Sequence, residues 1–91
     1  MKYTLKTTPK FEQDLVNLHR NMPKLFTKAA KLLEEIENHP RTGTGHPERL
    51  KHYEVETWSR QINKQHRMVY EIHDATITVI LLSVYGHYGD K

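Results

Sequence analysis

The residues that could do chemistry lie mainly in four short stretches of the second half of the chain, which read GHPERLKH, WSRQI, QHRMVYEI and GHY. Together they contain carboxylates, cations and imidazoles. A carboxylate can accept a proton, an imidazole can donate one near neutral pH, and a guanidinium can bind an anion. These stretches are therefore the first candidates for a functional site.

Arg67 opens the stretch RMVYEI, which has the composition of a β-strand. Successive side chains of a strand alternate between its two faces, so the apolar set Met68, Tyr70 and Ile72 lies opposite Arg67. The apolar face must meet the rest of the core. We therefore predict Arg67 on the open face of a sheet, either in a cross-strand ion pair or in an anion site.

Glu48 lies between Pro47 and Arg49 in the stretch from 38 to 50, which holds two prolines and two glycines and is predicted to be a long exposed loop. From position alone Glu48 is most simply a solvated charge, and Arg49 and Lys51 have the same simple interpretation. Functional groups also occur on such loops when a rigid scaffold carries them. The residues alone leave both interpretations open.

The chain ends with SVYGHYGDK, directly after an apolar run. A histidine near a terminus is more often incidental than functional. Here Gly86 allows a bend, and His87 and Tyr88 would then emerge at the edge of the sheet instead of trailing into water. A histidine anchored in this way beside Arg67 is a candidate general acid.

The first half of the chain supplies helices. Alternation over Tyr3–Thr7 predicts a short strand, after which Thr8 can cap a helix with Pro9 in its first turn. The sequence Asn21-Met22-Pro23 ends that helix. Apolar residues at helical spacing then predict a second helix from about Lys24 to Glu37. The two segments form a helical hairpin.

In the second half of the chain the apolar residues follow the two-residue alternation of β-strands. WSRQI, HRMVYEI and TITVILLSVY are joined by tight polar turns and predict an antiparallel meander. Alternation in the last strand groups Ser83 and Tyr85 with Val79, and places Val84 on the other face; we expect this strand to be central and covered on both sides. The order β-α-α-β-β-β predicts an α+β fold with both helices packed on one face of a single sheet.

Composition limits the classes of protein to which the chain can belong. Its 91 residues suffice for one domain, 1–91, and its net charge of +3 permits an anionic partner. Seven histidines occur without an HExxH pattern or any cysteine, so we predict neither a metal nor another cofactor. No apolar stretch is long enough for a membrane-spanning helix, so we expect a cytoplasmic protein without a membrane partner.

The ordered set PERLKH, WSR, HRMVY and the terminal HY resembles the YoeB/Txe toxins of the RelE superfamily, over about residues 41–88. The resemblance implies the toxin of a bacterial type II toxin–antitoxin pair, which enters the ribosomal A site and cleaves the messenger RNA there without a metal. It also implies a YefM-like cognate antitoxin, the bacterial ribosome as a partner, and a homodimer.

The same resemblance implies roles for individual residues. Glu48 would take the proton from a ribose 2′-hydroxyl, and Arg67 would hold the phosphate that this oxygen attacks. His87 would protonate the departing 5′-oxygen. Tyr88 would orient the nucleotide, and Lys51 would add positive charge near the scissile group.

The chain departs from the family at the stretch WSRQI, where two adjacent arginines are usual and Gln61 takes the second position. Because neighbours on a strand project oppositely, Arg60 cannot replace the missing side chain. We expect Arg60 and Arg49 to bind substrate as additional cations. Two alternatives remain: a ribonuclease that does not need the ribosome, and a noncatalytic module of the same fold that binds RNA, the ribosome or the antitoxin.

Overall fold

A computed structural model of the chain describes residues 2–86. Within this range two helices follow the first strand, and four further strands come after them. In chain order the elements are β1 (Thr4–Thr7), α1 (Pro9–Asn21), α2 (Pro23–Asn38), β2 (Glu48–Arg49), β3 (Thr57–Gln61), β4 (His66–His73), a short 3-10 turn (Asp74–Thr76) and β5 (Thr78–Gly86). The predicted α+β class, the helical hairpin and the three-stranded meander are confirmed.

The five strands form a single mixed sheet in the order β1-β5-β4-β3-β2. β1 pairs in parallel with β5, and the other pairs are antiparallel. β5 is therefore central, as predicted, but the expectation that both of its faces are covered was wrong, because Tyr85 on the face without helices is exposed. The edge strand β2 was not predicted, because two residues in a stretch rich in proline and glycine carry no strand periodicity and only the pairing with β3 defines them.

Thr8 caps α1 as predicted and also anchors it to the sheet. Its Oγ1 accepts a hydrogen bond from the backbone N–H of Phe11 (3.1 Å). The same hydroxyl lies within hydrogen-bond distance of the carbonyl oxygens of Leu81 (3.1 Å) and Leu82 (3.0 Å). The first turn of the helix is thus fixed to the middle of β5.

The hydrophobic core lies between the two helices and one face of the sheet. Met68, Tyr70 and Ile72 are buried there, as their alternation predicted. The full cluster consists of Phe11, Leu18, Leu25, Ala29, Leu32, Ile36, Ile62, Met68, Tyr70, Ile72, Val79, Leu81 and Val84. The opposite face of the sheet, with Arg67, carries neither of the two described helices and is called the open face below.

A β-bulge in β5 corrects the predicted faces of that strand. Val69 and Tyr70 are neighbours on β4, but their partners on β5 are Ser83 and Leu81, which lie two residues apart. The extra residue shifts the alternation by one position. Val84 therefore joins Val79 and Leu81 in the core, and the prediction that Val84 lies on the face opposite to Val79 was wrong.

No helix in residues 2–86 has the length and apolar character needed to cross a membrane.

Candidate functional site

The pairing of the strands brings Glu48 and Arg67 to the same face. Glu48 stands opposite Ser59 in the β2–β3 ladder, and Ser59 stands opposite Val69 in the β3–β4 ladder. Residues that stand opposite each other on antiparallel strands project to the same face of the sheet. Arg67 also projects to this face, because it lies two positions before Val69 on β4. The Nη1 of Arg67 donates a hydrogen bond to the Oγ of Ser59 (3.3 Å). The guanidinium is thus oriented toward the row that contains Glu48.

A second row crosses the open face next to the first. Gln61 stands opposite Arg67, and Arg67 stands opposite Tyr85, whose side chain is exposed. Within the described part of the chain Arg67 takes part in no salt bridge, and Glu71, on the same face, pairs with His73 instead (2.9 Å). The predicted cross-strand ion pair is therefore not formed within residues 2–86, and the anion site at Arg67 stays a prediction.

The predicted residues His87 and Tyr88 lie outside the described residues. β5 extends to Gly86, which stands opposite His66. The preceding pair of this ladder is Arg67 with Tyr85. The strand therefore carries the chain past Arg67 just before residue 87.

Arg49 is not brought to this site. It stands opposite Trp58, next to Glu48 on the strand, so it projects from the opposite face of the sheet. There its positive charge contributes to lowering the pKa of the Glu56 carboxyl, an effect that comes first from the hydrogen bonds of Arg41. Lys51, by contrast, is exposed in the bend that follows β2, near the edge that carries Glu48.

Arg60 is fully buried, which corrects the prediction that it binds substrate. It stands opposite Met68 and so belongs to the core face, whereas Gln61 belongs to the open face, as the alternation argument predicted. The Nη1 of Arg60 contacts Glu35 Oε1 (3.2 Å). Its Nη2 donates to the carbonyl oxygens of His39 and Thr42 (both 2.9 Å). A guanidinium held by these partners cannot reach a bound substrate.

The partners of Arg60 belong largely to the loop of residues 39–47, which leads into β2. Glu35 Oε1 also accepts a hydrogen bond from the backbone N–H of Thr44 (2.8 Å), and this bond is the main cause of the lowered pKa of Glu35. The carbonyl oxygen of Gly45 accepts from the N–H of Gln61 (2.6 Å). Gly45 has a φ of +90°, and a Cβ there would lie 2.5 Å from the carbonyl oxygen of Gln61. Arg60 and Gly45 thus fix the loop that precedes Glu48.

The position of Arg60 could have been recognised from the sequence. Trp58 and Ile62 alternate with Ser59 and Gln61, so the more apolar set of this strand is the one that contains Arg60. The long loop before β2 offers many backbone carbonyls as partners for a buried guanidinium. This alternation is the signal that the prediction missed.

A second arginine links the same loop to Glu56, which directly precedes β3. Arg41 forms two hydrogen bonds with Glu56, Nε to Oε2 (2.8 Å) and Nη2 to Oε1 (3.0 Å), and a further one with Asp74 (2.7 Å). Trp58 Nε1 also donates to Glu56 Oε2 (2.8 Å). Arg41 is therefore engaged in the scaffold, with its pKa raised by the Glu56 hydrogen bonds.

Between residues 2 and 86 no three His, Asp or Glu side chains are grouped so that they could hold a metal ion. His66 is buried, with its Nδ1 3.1 Å from Asn63 Oδ1, and burial lowers the pKa of its imidazole. His73 contacts Glu71.

Comparison with known proteins places this geometry in a family. The chain matches the family model of the YoeB-like toxin of bacterial type II toxin–antitoxin systems over residues 7–88. Toxin YoeB of Synechocystis sp. is 37% identical over 67 residues, which are 74% of this chain and 78% of that protein.

Solved structures agree over the whole fold. The YoeB dimer from Staphylococcus aureus matches with a TM-score of 0.81 and 30% identity, covering 97% of this chain and 100% of that chain. The YoeB–YefM complex from the same organism matches with a TM-score of 0.79 and 29% identity, with the same coverage. Sequence and fold thus agree over most of the length, and the chain belongs to the YoeB-like toxins of bacterial type II toxin–antitoxin systems.

Proposed function

We propose that this toxin is an endoribonuclease that cleaves messenger RNA in the ribosomal A site and so inhibits translation. One observation carries the proposal: the sheet register places Glu48 and Arg67 on one open face, on either side of Ser59, beside the end of β5. A proton acceptor and a cation beside an open surface are what cleavage through a ribose 2′-hydroxyl requires.

In the proposed reaction, Glu48 removes the proton of the 2′-hydroxyl and the freed oxygen attacks the adjacent phosphorus. The bond from phosphorus to the 5′-oxygen of the next nucleotide breaks, and His87 protonates that oxygen. The products are a 2′,3′-cyclic phosphate and a 5′-hydroxyl. Arg67 stabilises the negative charge that builds on the phosphate oxygens in the transition state.

Two further residues complete the proposed site. Tyr88 orients the nucleotide, and Lys51, exposed beyond β2, adds positive charge. Gln61 occupies the position opposite Arg67 on the open face, so this toxin presents a neutral amide where the family usually presents a second arginine. The proposed site therefore depends on Arg67 more strongly than a site with two arginines would.

The proposal extends to partners. The solved relatives include a YoeB dimer and a YoeB–YefM complex, and we propose a YefM-like antitoxin and a homodimer for this chain. A toxin that acts on the translating ribosome works in the cytoplasm.

The test is primer-extension mapping of a defined message on programmed ribosomes. We expect cuts in the A-site codon with the native chain. Arg67→Ala should lower the rate about 10²- to 10³-fold by loss of charge stabilisation, and Glu48→Gln about 10²- to 10⁴-fold by loss of the base. Arg20→Ala, an exposed arginine at the end of α1, is the matched control and should leave the rate unchanged.

Each alternative gives a different result. Equal cutting of free RNA and of ribosome-bound message would indicate a ribosome-independent ribonuclease. No cutting by folded native protein, with ribosome binding unchanged in Arg67→Ala and Glu48→Gln, would indicate a noncatalytic binding module and overturn the proposal.

A further inference from the structure

A groove of about 500 Å³ lies between α2, the 39–47 loop and the turn that joins β3 to β4. Three of its lining residues are lysines: Lys28 and Lys31 from α2 and Lys64 from the turn. All three are exposed. We call this feature the lysine groove.

The lysine groove is positively charged because its cations are not neutralised. None of the salt bridges within residues 2–86 includes Lys28, Lys31 or Lys64. The single carboxylate that lines the groove, Glu35, is already engaged by Arg60 and by the N–H of Thr44. A net positive charge in a concave surface raises the local concentration of anions.

The lysine groove adjoins the open face. Gln61 lines the groove and also stands opposite Arg67 in the β3–β4 ladder. His46, which also lines the groove, precedes Glu48 by two residues. The groove therefore lies on the helix side of the sheet next to residues that flank Glu48 and Arg67, where a polymer that leaves the open face around the end of β3 would meet it.

We propose that the lysine groove binds the sugar-phosphate backbone of RNA that continues away from the cleavage site. This inference rests on the proposed function, since it extends the substrate surface of the same site. Lys28 and Lys31 are three residues apart on a helix, so their stems are neighbours, about 5–6 Å between Cβ atoms. A row of ammonium point charges suits a polymer with one negative charge per nucleotide.

The alternative occupant is an acidic protein segment, and the groove fits it less well. Carboxylates are bound best by the planar fork of arginine, which forms two parallel hydrogen bonds. Among the described residues that line the groove there is no arginine, and the fork of the nearby Arg60 is already occupied by Glu35 and by backbone carbonyls.

The experiment measures binding with the Glu48→Gln form, so that the RNA is not consumed. Lys28→Ala/Lys31→Ala is compared with Lys2→Ala/Arg20→Ala, a pair of exposed cations outside the groove with the same change in net charge. The ligands are a single-stranded RNA, empty ribosomes and programmed ribosomes, each titrated over a range of salt concentrations. Thermal melts establish that both double variants are folded.

The groove variant should bind more weakly than the control and should have a less steep dependence of log K on log salt, by about 1.4 to 2 for two lost phosphate contacts. Loss on programmed ribosomes and on free RNA would support the message as the ligand, whereas an equal loss on empty ribosomes would identify ribosomal RNA and overturn the inference. Equal behaviour of the two double variants would overturn the inference. So would a groove variant that loses affinity only for an acidic antitoxin. The readout is binding and not cleavage. A native protein that fails to cleave RNA would therefore not by itself produce any of the outcomes that overturn the inference.

Discussion

Replacement of Arg60 by leucine removes the guanidinium that holds the 39–47 loop. The carbonyl oxygens of His39 and Thr42 lose their donors, and Glu35 loses its ion pair. A hydrogen bond from a charged donor contributes about 1.5–3 kcal/mol. The Glu35 side chain is 37% exposed and is therefore still solvated in the variant, so the lost ion pair adds little to the destabilisation.

The leucine also relieves one unfavourable feature, since Arg60 Nε is buried and has no hydrogen-bond partner among residues 2–86. Taken together, we expect a decrease of about 2–4 kcal/mol in the free energy of unfolding. For a domain of this size that corresponds to a fall in Tm on the order of 10 to 25 °C. The variant should remain folded at low temperature, because small domains are stable by about 5–15 kcal/mol.

Urea unfolding measures the global change, and amide hydrogen exchange locates it. The N–H groups of Thr44 and Gln61 bond to Glu35 and Gly45, so their protection should fall more than that of β4 and β5. Arg20→Leu is the matched control and should change stability by less than about 0.5 kcal/mol. If Arg60→Leu behaved like that control, or lost protection uniformly, Arg60 would not be the residue that fixes the loop.

Three further predictions concern the sheet and the site. Asp14 accepts a hydrogen bond from the N–H of Val84 (2.9 Å) beside the bulge, so Asp14→Ala should lower the free energy of unfolding by about 1–3 kcal/mol in urea unfolding; an unchanged midpoint would contradict this. Burial lowers the pKa of His66, so the unfolded chain takes up a proton first and stability should fall as the pH drops below about 6.5, until the folded-state pKa is reached. Denaturation at several pH values should show a flatter profile for His66→Gln, and an identical profile would refute the assignment. Gln61→Arg adds a cation opposite Arg67 and should raise the cleavage rate about tenfold; an equal or lower rate would mean that residue 61 does not face the phosphate.

Features that depend on local chemistry were predictable from the sequence. The start of α1 follows from the hydroxyl of Thr8 and the fixed φ of Pro9, and both act within one turn. The core face of β4 follows from its alternation, because Met68, Tyr70 and Ile72 are clearly more apolar than their neighbours.

Features that depend on distant partners were not predictable. β2 exists only because Glu48 and Arg49 pair with β3. The bulge in β5 could not be predicted because nearly every residue of that strand is apolar. Without an alternation of apolar and polar residues, the sequence does not show where the side chains change faces. For Arg60 only the partners were unpredictable, because they are mainly backbone carbonyls that have no sequence signature; its burial was overlooked because arginine is usually exposed.

The parallel pairing of β1 with β5 joins the first and the last strand that the structure describes. Thr4 stands opposite Thr78, and β5 separates β1 from the rest of the sheet. During synthesis β1 therefore has no neighbour in the sheet until β5 has left the ribosome, and until then the open face lacks its Tyr85 side. Completion of the sheet depends on a contact between strands that lie far apart in the sequence, so the open face is assembled late in folding.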